Sequence, residues 1–365
     1  MRGIERRSSL APLVCALTAV IGYCLLVGPI LVTRGPGWFL YLGRRDSDPP
    51  TVRQVEHTVG YRVPFAAEYG HDGREFWVLA QDPLLLSPQR DVSLLDRPAY
   101  RAARIAYPAA AAPWGLFGST ALLIGLLVTN LIVVGVGTYF AALLALHLRA
   151  PPLASAFFAA SPVVAVAVLL DLGDAMSLAA LVASLYLFMR GRFGWATIAG
   201  VVAVLAKQPA LLAILVLAAS STSVSRRLRL VYLAIPGAAL IAWTFYAGAR
   251  LGPSGGGIFE FTLPFVGYVH AGSLWLHDHN WLDAAVAVAL LPAAGVVIAR
   301  WWRSRSPVLA AALPFALIVP FLSQTVLYGA FNSLRAFGPA VTFFGLDWFK
   351  GRAPAGGSST PASPQ

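Results

Sequence analysis

Long apolar runs separated by short polar turns dominate this chain of 365 residues. The first run, 10–32, is long enough to cross about 30 Å of hydrocarbon as a helix. Nine further apolar runs follow, at 115–148, 153–170, 175–189, 193–206, 210–222, 230–249, 282–299, 307–328 and 336–349. The pattern predicts an all-α polytopic membrane protein with about ten transmembrane helices.

Three of the predicted spans are short. The runs 175–189, 193–206 and 210–222 fall below the roughly 20 residues that a perpendicular helix needs. Local bilayer thinning or packing inside protein could absorb the mismatch. Alternatively, 193–222 forms a re-entrant hairpin, which leaves the sidedness of the other spans unchanged.

The composition agrees with this class, since 58% of the residues are apolar and only 12% are charged, against about 25% charged in soluble domains. The net charge of +11 could suggest nucleic acid, but the cations sit between apolar runs, as the positive-inside bias predicts. With a cytoplasmic N-terminus at 1–9, strict alternation places the following cations inside: Arg149, Arg190, Arg192, Arg226, Arg227, Arg229, Arg300, Arg303, Arg305, Lys350 and Arg352. We therefore predict a plasma-membrane protein with both termini cytoplasmic and no nucleic-acid partner.

The domain organisation follows from the same alternation. Residues 33–114 are polar, hold most of the acidic residues and are predicted to form a large first extracytoplasmic loop with a catalytic role. Its segments 74–79 and 100–107 are predicted to be short amphipathic helices lying on the membrane. The multi-span domain covers 115–349, and the Pro/Ser/Gly-rich tail at 350–365 is predicted to be disordered and cytoplasmic.

The strongest candidate for chemistry is Asp72, in the loop sequence Tyr69-Gly70-His71-Asp72-Gly73-Arg74-Glu75-Phe76. Flanking glycines allow close approach of backbone and substrate. As a general base, the carboxylate would take a proton from an attacking sugar hydroxyl. Alternatively, Asp72 is only the N-cap of the following helix.

Three cations are candidate ligands for a phosphate. Arg101 and Arg104 share one helix face at i,i+3 and could form a fork for phosphate oxygens, or could clamp the loop through Asp91 or Asp96. Lys207 interrupts an apolar stretch, where a phosphate would compensate its charge, or where it could snorkel to the interface.

Two acidic or histidine-rich turns are weaker candidates. Asp171 and Asp174 could bind a metal or an acceptor, although Asp174 also suits a helix N-cap. His277-Asp278-His279 looks metal-like, but no second ligand group accompanies it, so a solvated loop or acceptor-site lining is favoured. The sequence has no P-loop, nucleophile elbow or dinucleotide fingerprint.

A set of short motifs, taken in order, resembles a known family. They are His71-Asp72-Gly73-x-x-Phe76, Arg101-x-x-Arg104-x-x-Tyr107-Pro108, the Asp171/Asp174 tip, Ala206-Lys207-Gln208 and Asn332-x-x-Arg335-x-x-x-Pro339. Over about 11–349 the chain resembles bacterial multi-span glycosyltransferases of the GT-C superfamily, and is similar to their polyprenol-phosphate-sugar-dependent mannosyl- and arabinosyltransferases.

The resemblance implies an inverting single displacement with Asp72 as base, and Lys207 and Arg335 facing the lipid phosphate, joined by Arg101 and Arg104. The candidate residues for an acceptor or site lining are His71, Tyr107, Asp171, Asp174, Gln208, His277 and His279. The implied partners are the bilayer, a polyprenyl-phosphate sugar donor and an extracytoplasmic glycan, lipid or protein acceptor, with no cofactor or obligatory metal. His71 stands where relatives usually have an aromatic residue, and no soluble acceptor-binding domain follows, which leaves the acceptor open.

Two other functions fit part of this pattern. A transporter or flippase of a polyprenyl-linked glycan would use the same cations, but is expected to show internal repeats, which the sequence lacks. A non-catalytic membrane scaffold predicts that the outward charges do not converge. The enzyme hypothesis expects Asp72, Arg104, Lys207 and Arg335 to line one cavity.

Overall fold

A computed structural model describes residues 2–44, 49–63, 65–66, 70–252 and 260–352. The predicted disordered tail at 353–365 and Tyr69 of the loop motif lie outside these residues. Within them the protein is all-α, as predicted, and has no strand, although an isolated antiparallel bridge joins Phe261 and Leu322.

The α-helices in chain order are α1 (Arg2–Arg34), α2 (Pro49–Val59), α3 (Gly73–Gln81), α4 (Pro88–Leu94), α5 (Pro98–Ala102), α6 (Ala106–Ala111), α7 (Ser119–His147), α8 (Ala156–Ala159), α9 (Pro162–Leu169), α10 (Asp174–Met189), α11 (Phe193–Ala206), α12 (Ala210–Ser220), α13 (Arg226–Leu251), α14 (Val266–His277), α15 (Trp281–Ser304), α16 (Pro307–Leu317), α17 (Gln324–Leu327) and α18 (Ala330–Trp348). Short 3₁₀ turns cover Pro36–Leu40, Ala112–Phe117, Pro152–Ser155 and Val319–Phe321.

Fewer helices than predicted are long and apolar enough to cross a bilayer. Four helices in the described residues qualify: Leu10–Arg34 of α1, then α7, α13 and α15. A fifth span results if Pro152–Ala159 and Pro162–Leu169, which meet at 51°, are counted together. Every predicted run contains a helix, but α10, α11 and α12 have only 16, 14 and 11 residues. At about 1.5 Å per residue, each is shorter than the hydrocarbon core, so these helices do not establish the predicted ten spans.

Contacts between helix termini define one end of the bundle, here called the basic end. The Gly351 N–H donates to the Leu148 carbonyl, which joins the C-termini of α18 and α7. The Arg300 guanidinium lies 3.1 Å from Asp347, which brings the end of α15 to the same place. The predicted cytoplasmic Arg clusters that follow α7, α15 and α18 therefore share one end.

The opposite end, here called the site end, gathers the acidic residues. The Ala330 N–H donates to Asp283 at 2.8 Å, which joins the starts of α18 and α15. Arg250, near the end of α13, donates to the Leu85 carbonyl in the loop segment at 2.9 Å. The long loop between α1 and α7 covers this end of the helices.

The loop helices differ from the predicted surface helices. α3 is buried along nearly its whole length against α6 and α7, and its charged residues Arg74 and Glu75 pair with each other at 2.8 Å. The predicted helix at 100–107 is instead two helices, α5 and α6. Pro108 explains the break, since its ring tolerates a first helical turn but would clash inside a continuous helix.

Candidate functional site

A cavity of about 230 Å³ opens at the site end, between the loop and the starts of α10 and α18. Its charged lining consists of Asp72, Arg97, Arg101, Arg104, Asp174, Lys207, Glu260 and Arg335. Five cations against three carboxylates leave this lining with a net charge of +2. The charge balance favours an anionic ligand.

The remaining wall of the cavity is mostly apolar. Its apolar side chains include Val163, Leu178, Leu181, Phe315, Ile318, Leu322, Val326 and Pro339. Charged hydrogen-bond donors therefore face apolar side chains across the cavity. Such a lining suits a ligand in which an anionic group is joined to a long apolar chain.

Asp72 reaches the cavity because α3 begins unusually close to neighbouring backbone. A Cβ added to Gly73 would lie 2.5 Å from the Leu170 carbonyl oxygen and 3.1 Å from that of Leu40. The alternative role of Asp72 as an N-cap is not found, since its side chain accepts no capping hydrogen bond. The carboxylate instead faces the two loop arginines.

The loop arginines bind more than one carboxylate each. Arg101 lies 2.6 Å from Asp72 and also donates two 2.8 Å hydrogen bonds to Asp96. Arg104 lies 3.0 Å from Asp72 and 2.5 Å from Glu260. The Asp96 clamp and the Asp72 contact thus coexist, whereas Asp91 pairs with Arg90.

The arginines determine the ionisation of Asp72. Burial by itself would raise the pKa of its carboxyl, but the charges of Arg101, Arg104 and Arg335 outweigh burial. The pKa of Asp72 therefore lies well below its ordinary value. The carboxylate is ionised at neutral pH, and it remains a weak base while both guanidiniums hold it.

Asp174 organises a second cluster of cations. One of its carboxylate oxygens accepts from the Lys207 ammonium, and the other lies 2.7 Å from the Arg335 guanidinium. Asp174 is the first residue of α10, with Gly173 at the N-cap position, so the predicted capping role is not found. Lys207 lies in the cavity rather than extending to a lipid interface.

Glu260 is a cavity residue that the sequence did not mark as a site. It accepts a 2.5 Å hydrogen bond from the Tyr100 hydroxyl besides its ion pair with Arg104. A Ser323 N–H to Glu260 carbonyl hydrogen bond of 3.0 Å anchors its backbone. Burial would raise the pKa of Glu260, but Arg104 and Lys207 lower it overall. The only signal in the sequence was an isolated charge among apolar residues.

Several predicted site residues lie outside the cavity lining. The His71 ring contacts the Tyr41 ring at 5.3 Å. The buried Tyr107 donates to the Leu126 carbonyl at 2.9 Å, and Gln208 occupies the turn beside Lys207. Asp171 is fully buried near Tyr107, where burial raises the pKa of its carboxyl well above the ordinary value and favours the neutral acid.

The histidine pair is exposed, with His277 at the end of α14 and His279 on the turn before α15. His277 is 4.0 Å from Asp278, and its side chain is 85% exposed. His279 adopts a left-handed backbone conformation on the same turn. Within the described ranges, no group of three or more histidine, cysteine or acidic residues could hold a metal ion.

No protein-family model, curated protein or solved structure matches this chain. The chemistry of the cavity itself therefore indicates the function. Its parts can bind an anion, stabilise negative charge that develops on it, and present a carboxylate to a nearby hydroxyl.

Proposed function

We propose that the protein is a GT-C-type membrane glycosyltransferase, which moves a sugar from a polyprenyl-phosphate donor to an extracytoplasmic glycan, lipid or protein. One observation carries the proposal: a net-positive cavity joins the Asp72 carboxylate to cations from three other segments beside an apolar wall. These are the groups that transfer from a lipid phosphate requires.

The proposed membrane topology assigns ten crossings, with the site end outside and the basic end in the cytoplasm of a plasma-membrane protein. The charge distribution supports this orientation, because positive charge favours the cytoplasmic side. Bilayer thinning around α10, α11 and α12 would accommodate their short lengths.

In this proposal the donor phosphate binds between Lys207, Arg335 and Arg104. Each of these cations now pairs with a carboxylate of the cavity, so an entering phosphate exchanges with Asp174 and Glu260 rather than meeting free cations. The polyprenyl chain lies against Leu181, Phe315 and the other apolar lining residues.

The reaction is an inverting displacement at the anomeric carbon of the sugar. The acceptor oxygen forms the new bond while the bond from carbon to phosphate oxygen breaks. The proton of the acceptor passes to Asp72, and the leaving phosphate gains about one negative charge. Protonation of Asp72 removes one negative charge at the same time, so the total charge of the cavity is conserved.

Arg101 and Arg104 couple the departure of the phosphate to the transfer of the acceptor proton. As Arg101 and Arg104 turn towards the leaving phosphate, they stabilise Asp72 less, and the pKa of its carboxyl rises. Asp72 thereby becomes a stronger base at the stage when the acceptor proton must leave. The proposal needs no metal cofactor, since fixed guanidinium and ammonium groups supply the positive charge.

The test incubates membranes containing the full-length protein with radiolabelled mannosyl and arabinosyl polyprenyl phosphates. We expect Asp72→Asn to lower transfer about 10²- to 10⁴-fold, the usual contribution of a general base, with unchanged expression. The matched control is Asp278→Asn on the exposed α14–α15 turn, which should retain activity.

Chromatography of the lipid products separates the proposal from its rival. A flippase moves the lipid-linked sugar across the bilayer but leaves the bond between sugar and phosphate intact. Full activity of Asp72→Asn would remove Asp72 from the mechanism, and transport without bond cleavage would favour the flippase.

A further inference from the structure

A second feature lies at the far end of the α15–α18 helix pair from the cavity. The two helices run parallel. Asp283 contacts Ala330 where both helices begin, and Arg300 contacts Asp347 near the end of both helices. The two contacts are 17 residues apart along each helix (283 to 300 and 330 to 347). Seventeen residues correspond to about 25 Å of helix, which is close to the thickness of a hydrocarbon core.

A groove of about 400 Å³ opens between these helices at the basic end. It is lined by Val296, Ala299, Arg300, Arg303, Ser304, Phe344 and Trp348. Hydrogen-bond donors lie at one side of the groove, and apolar side chains continue along the helices. The groove lining therefore has a polar part at the helix ends and an apolar part along the helices.

The positive charge of the groove is only partly neutralised. Asp347 pairs with Arg300 at 3.1 Å, whereas the exposed Arg303 has no ion pair within the described part of the chain. Arg305, Lys350 and Arg352 are close by in sequence, on the same helix ends. Five cations against one carboxylate leave this region with a charge of +4.

Trp348 lines the groove, and Trp301 and Trp302 are adjacent in sequence to its lining residues Arg300 and Arg303. The Arg305 guanidinium lies over Trp301 at 4.6 Å and over Trp302 at 4.1 Å. Arg352 lies 5.2 Å from the Trp348 ring. Tryptophan and arginine side chains are typical of the level at which lipid headgroups meet water. The residue types at the groove thus match those found at the level of phospholipid headgroups.

We propose that this groove binds the headgroup of an anionic phospholipid. Arg303 and the Ser304 hydroxyl contact its phosphate, Arg300 contributes additional positive charge, and an acyl chain lies along Val296 and Phe344. Basic pockets between membrane helices are suited to anionic headgroups. The site is separate from the cavity and does not depend on the glycosyltransferase function.

The test titrates the full-length protein in detergent with dioleoyl phosphatidylglycerol or dioleoyl phosphatidylcholine and counts bound lipids by native mass spectrometry. We expect tighter binding of phosphatidylglycerol, and we expect Arg303→Gln to weaken it about fivefold, as for the loss of one cation near a headgroup. Arg303→Lys should retain the preference. Arg227→Gln, which removes an exposed cation outside the groove, should leave binding unchanged.

A second variant separates the groove from general surface charge. Val296→Trp keeps the charge but fills the groove, and we expect it to reduce phosphatidylglycerol binding. Equal binding of both lipids by the unaltered protein would overturn the proposal, as would equal losses in Arg303→Gln and Arg227→Gln. Displacement of the lipid by inorganic phosphate at equal concentration would also overturn it.

Discussion

At the scale of single residues, Asp174 holds two cations that would otherwise repel each other. Its side chain is 5% exposed, and its partner Arg335 is 9% exposed. Because both groups are buried, removal of the carboxylate leaves two positive charges without compensation in a poorly solvated place. Asp174 is thus both a structural residue and the residue that sets the spacing of Lys207 and Arg335.

We expect Asp174→Asn to lower the free energy of unfolding by about 3–5 kcal/mol, the usual cost of breaking a buried ion pair. Thermal unfolding in detergent measures the effect. The control is Asp96→Asn. Because Arg101 keeps its contact with Asp72 in this variant, the free energy of unfolding should fall by no more than about 1 kcal/mol. Equal losses in the two variants would contradict this account.

Glu75 gives the protein a pH-dependent stability. Burial raises the pKa of its carboxyl from the ordinary 4.5 to about 7, although Arg74 opposes the shift. The folded state therefore binds this proton more tightly than the unfolded chain does. The resulting stabilisation is complete below pH 4.5 and is lost as the pH rises through 7.

We expect the melting temperature of the unaltered protein to fall between pH 5 and pH 8, and that of Glu75→Gln to fall less. The lost stability is at most about 3 kcal/mol. The pKa of Asp72 lies below this window, so Asp72 stays ionised throughout. Asp171, whose pKa is also raised, leaves a residual slope in both proteins. Identical slopes would show that Glu75 does not titrate in this range.

At the scale of elements, α3 is the platform that positions Asp72. Its tryptophan, Trp77, is fully buried, and Phe76 packs edge-on against Tyr107 at 5.6 Å. The helix can approach the turn after α9 because residue 73 has no side chain. The position of Asp72 therefore depends on a backbone contact as well as on its own ion pairs.

We expect Gly73→Ala to destabilise the protein by about 1–3 kcal/mol, as overpacking usually does, and to lower sugar transfer by displacing Asp72. The matched control is Gly194→Ala in α11, where an added Cβ meets nothing within 4 Å. Since alanine favours helix over glycine, this control should be neutral or slightly stabilising. Unchanged activity and stability in Gly73→Ala would show that the contact can relax.

At the scale of the whole molecule, charge is divided between the two ends of the bundle. Among described residues after α1, the acidic side chains lie at the site end, apart from Asp347 at the basic end. Arg229 at the start of α13 donates to the Ala218 carbonyl near the end of α12 at 3.4 Å. The fold thus presents two chemically different faces.

We expect these faces to lie on opposite sides of the plasma membrane. After replacement of Cys15 and Cys24, a single cysteine is introduced at an exposed loop position, as Ser93→Cys or Ser223→Cys. In intact cells, a membrane-impermeant maleimide should label the first variant and not the second. After permeabilisation it should label both. Labelling of both variants in intact cells would refute the proposed topology.

Part of the candidate site was predictable from the sequence, for a local reason. Asp72 and Lys207 stand out because each interrupts an apolar or glycine-rich context, where an ionised group needs a partner. Arg335 was marked only by the short motif that carries the family resemblance. The ion-pair partners of Glu260 and Asp174 were not predictable. Their partners Arg104 and Arg335 are 156 and 161 residues away in the sequence, and residue spacing predicts contacts only between neighbours within one helix or turn.

The sequence by itself determined the all-helical class and the positions of the apolar helices, because hydropathy and helical periodicity are local properties of the chain. Only the tertiary structure decided which helices are long enough to span, which charges face one another, and that α3 is buried. Helix length depends on where a turn ends each run. Ion pairing depends on which distant helix ends the packing brings together, and a linear pattern does not contain that information.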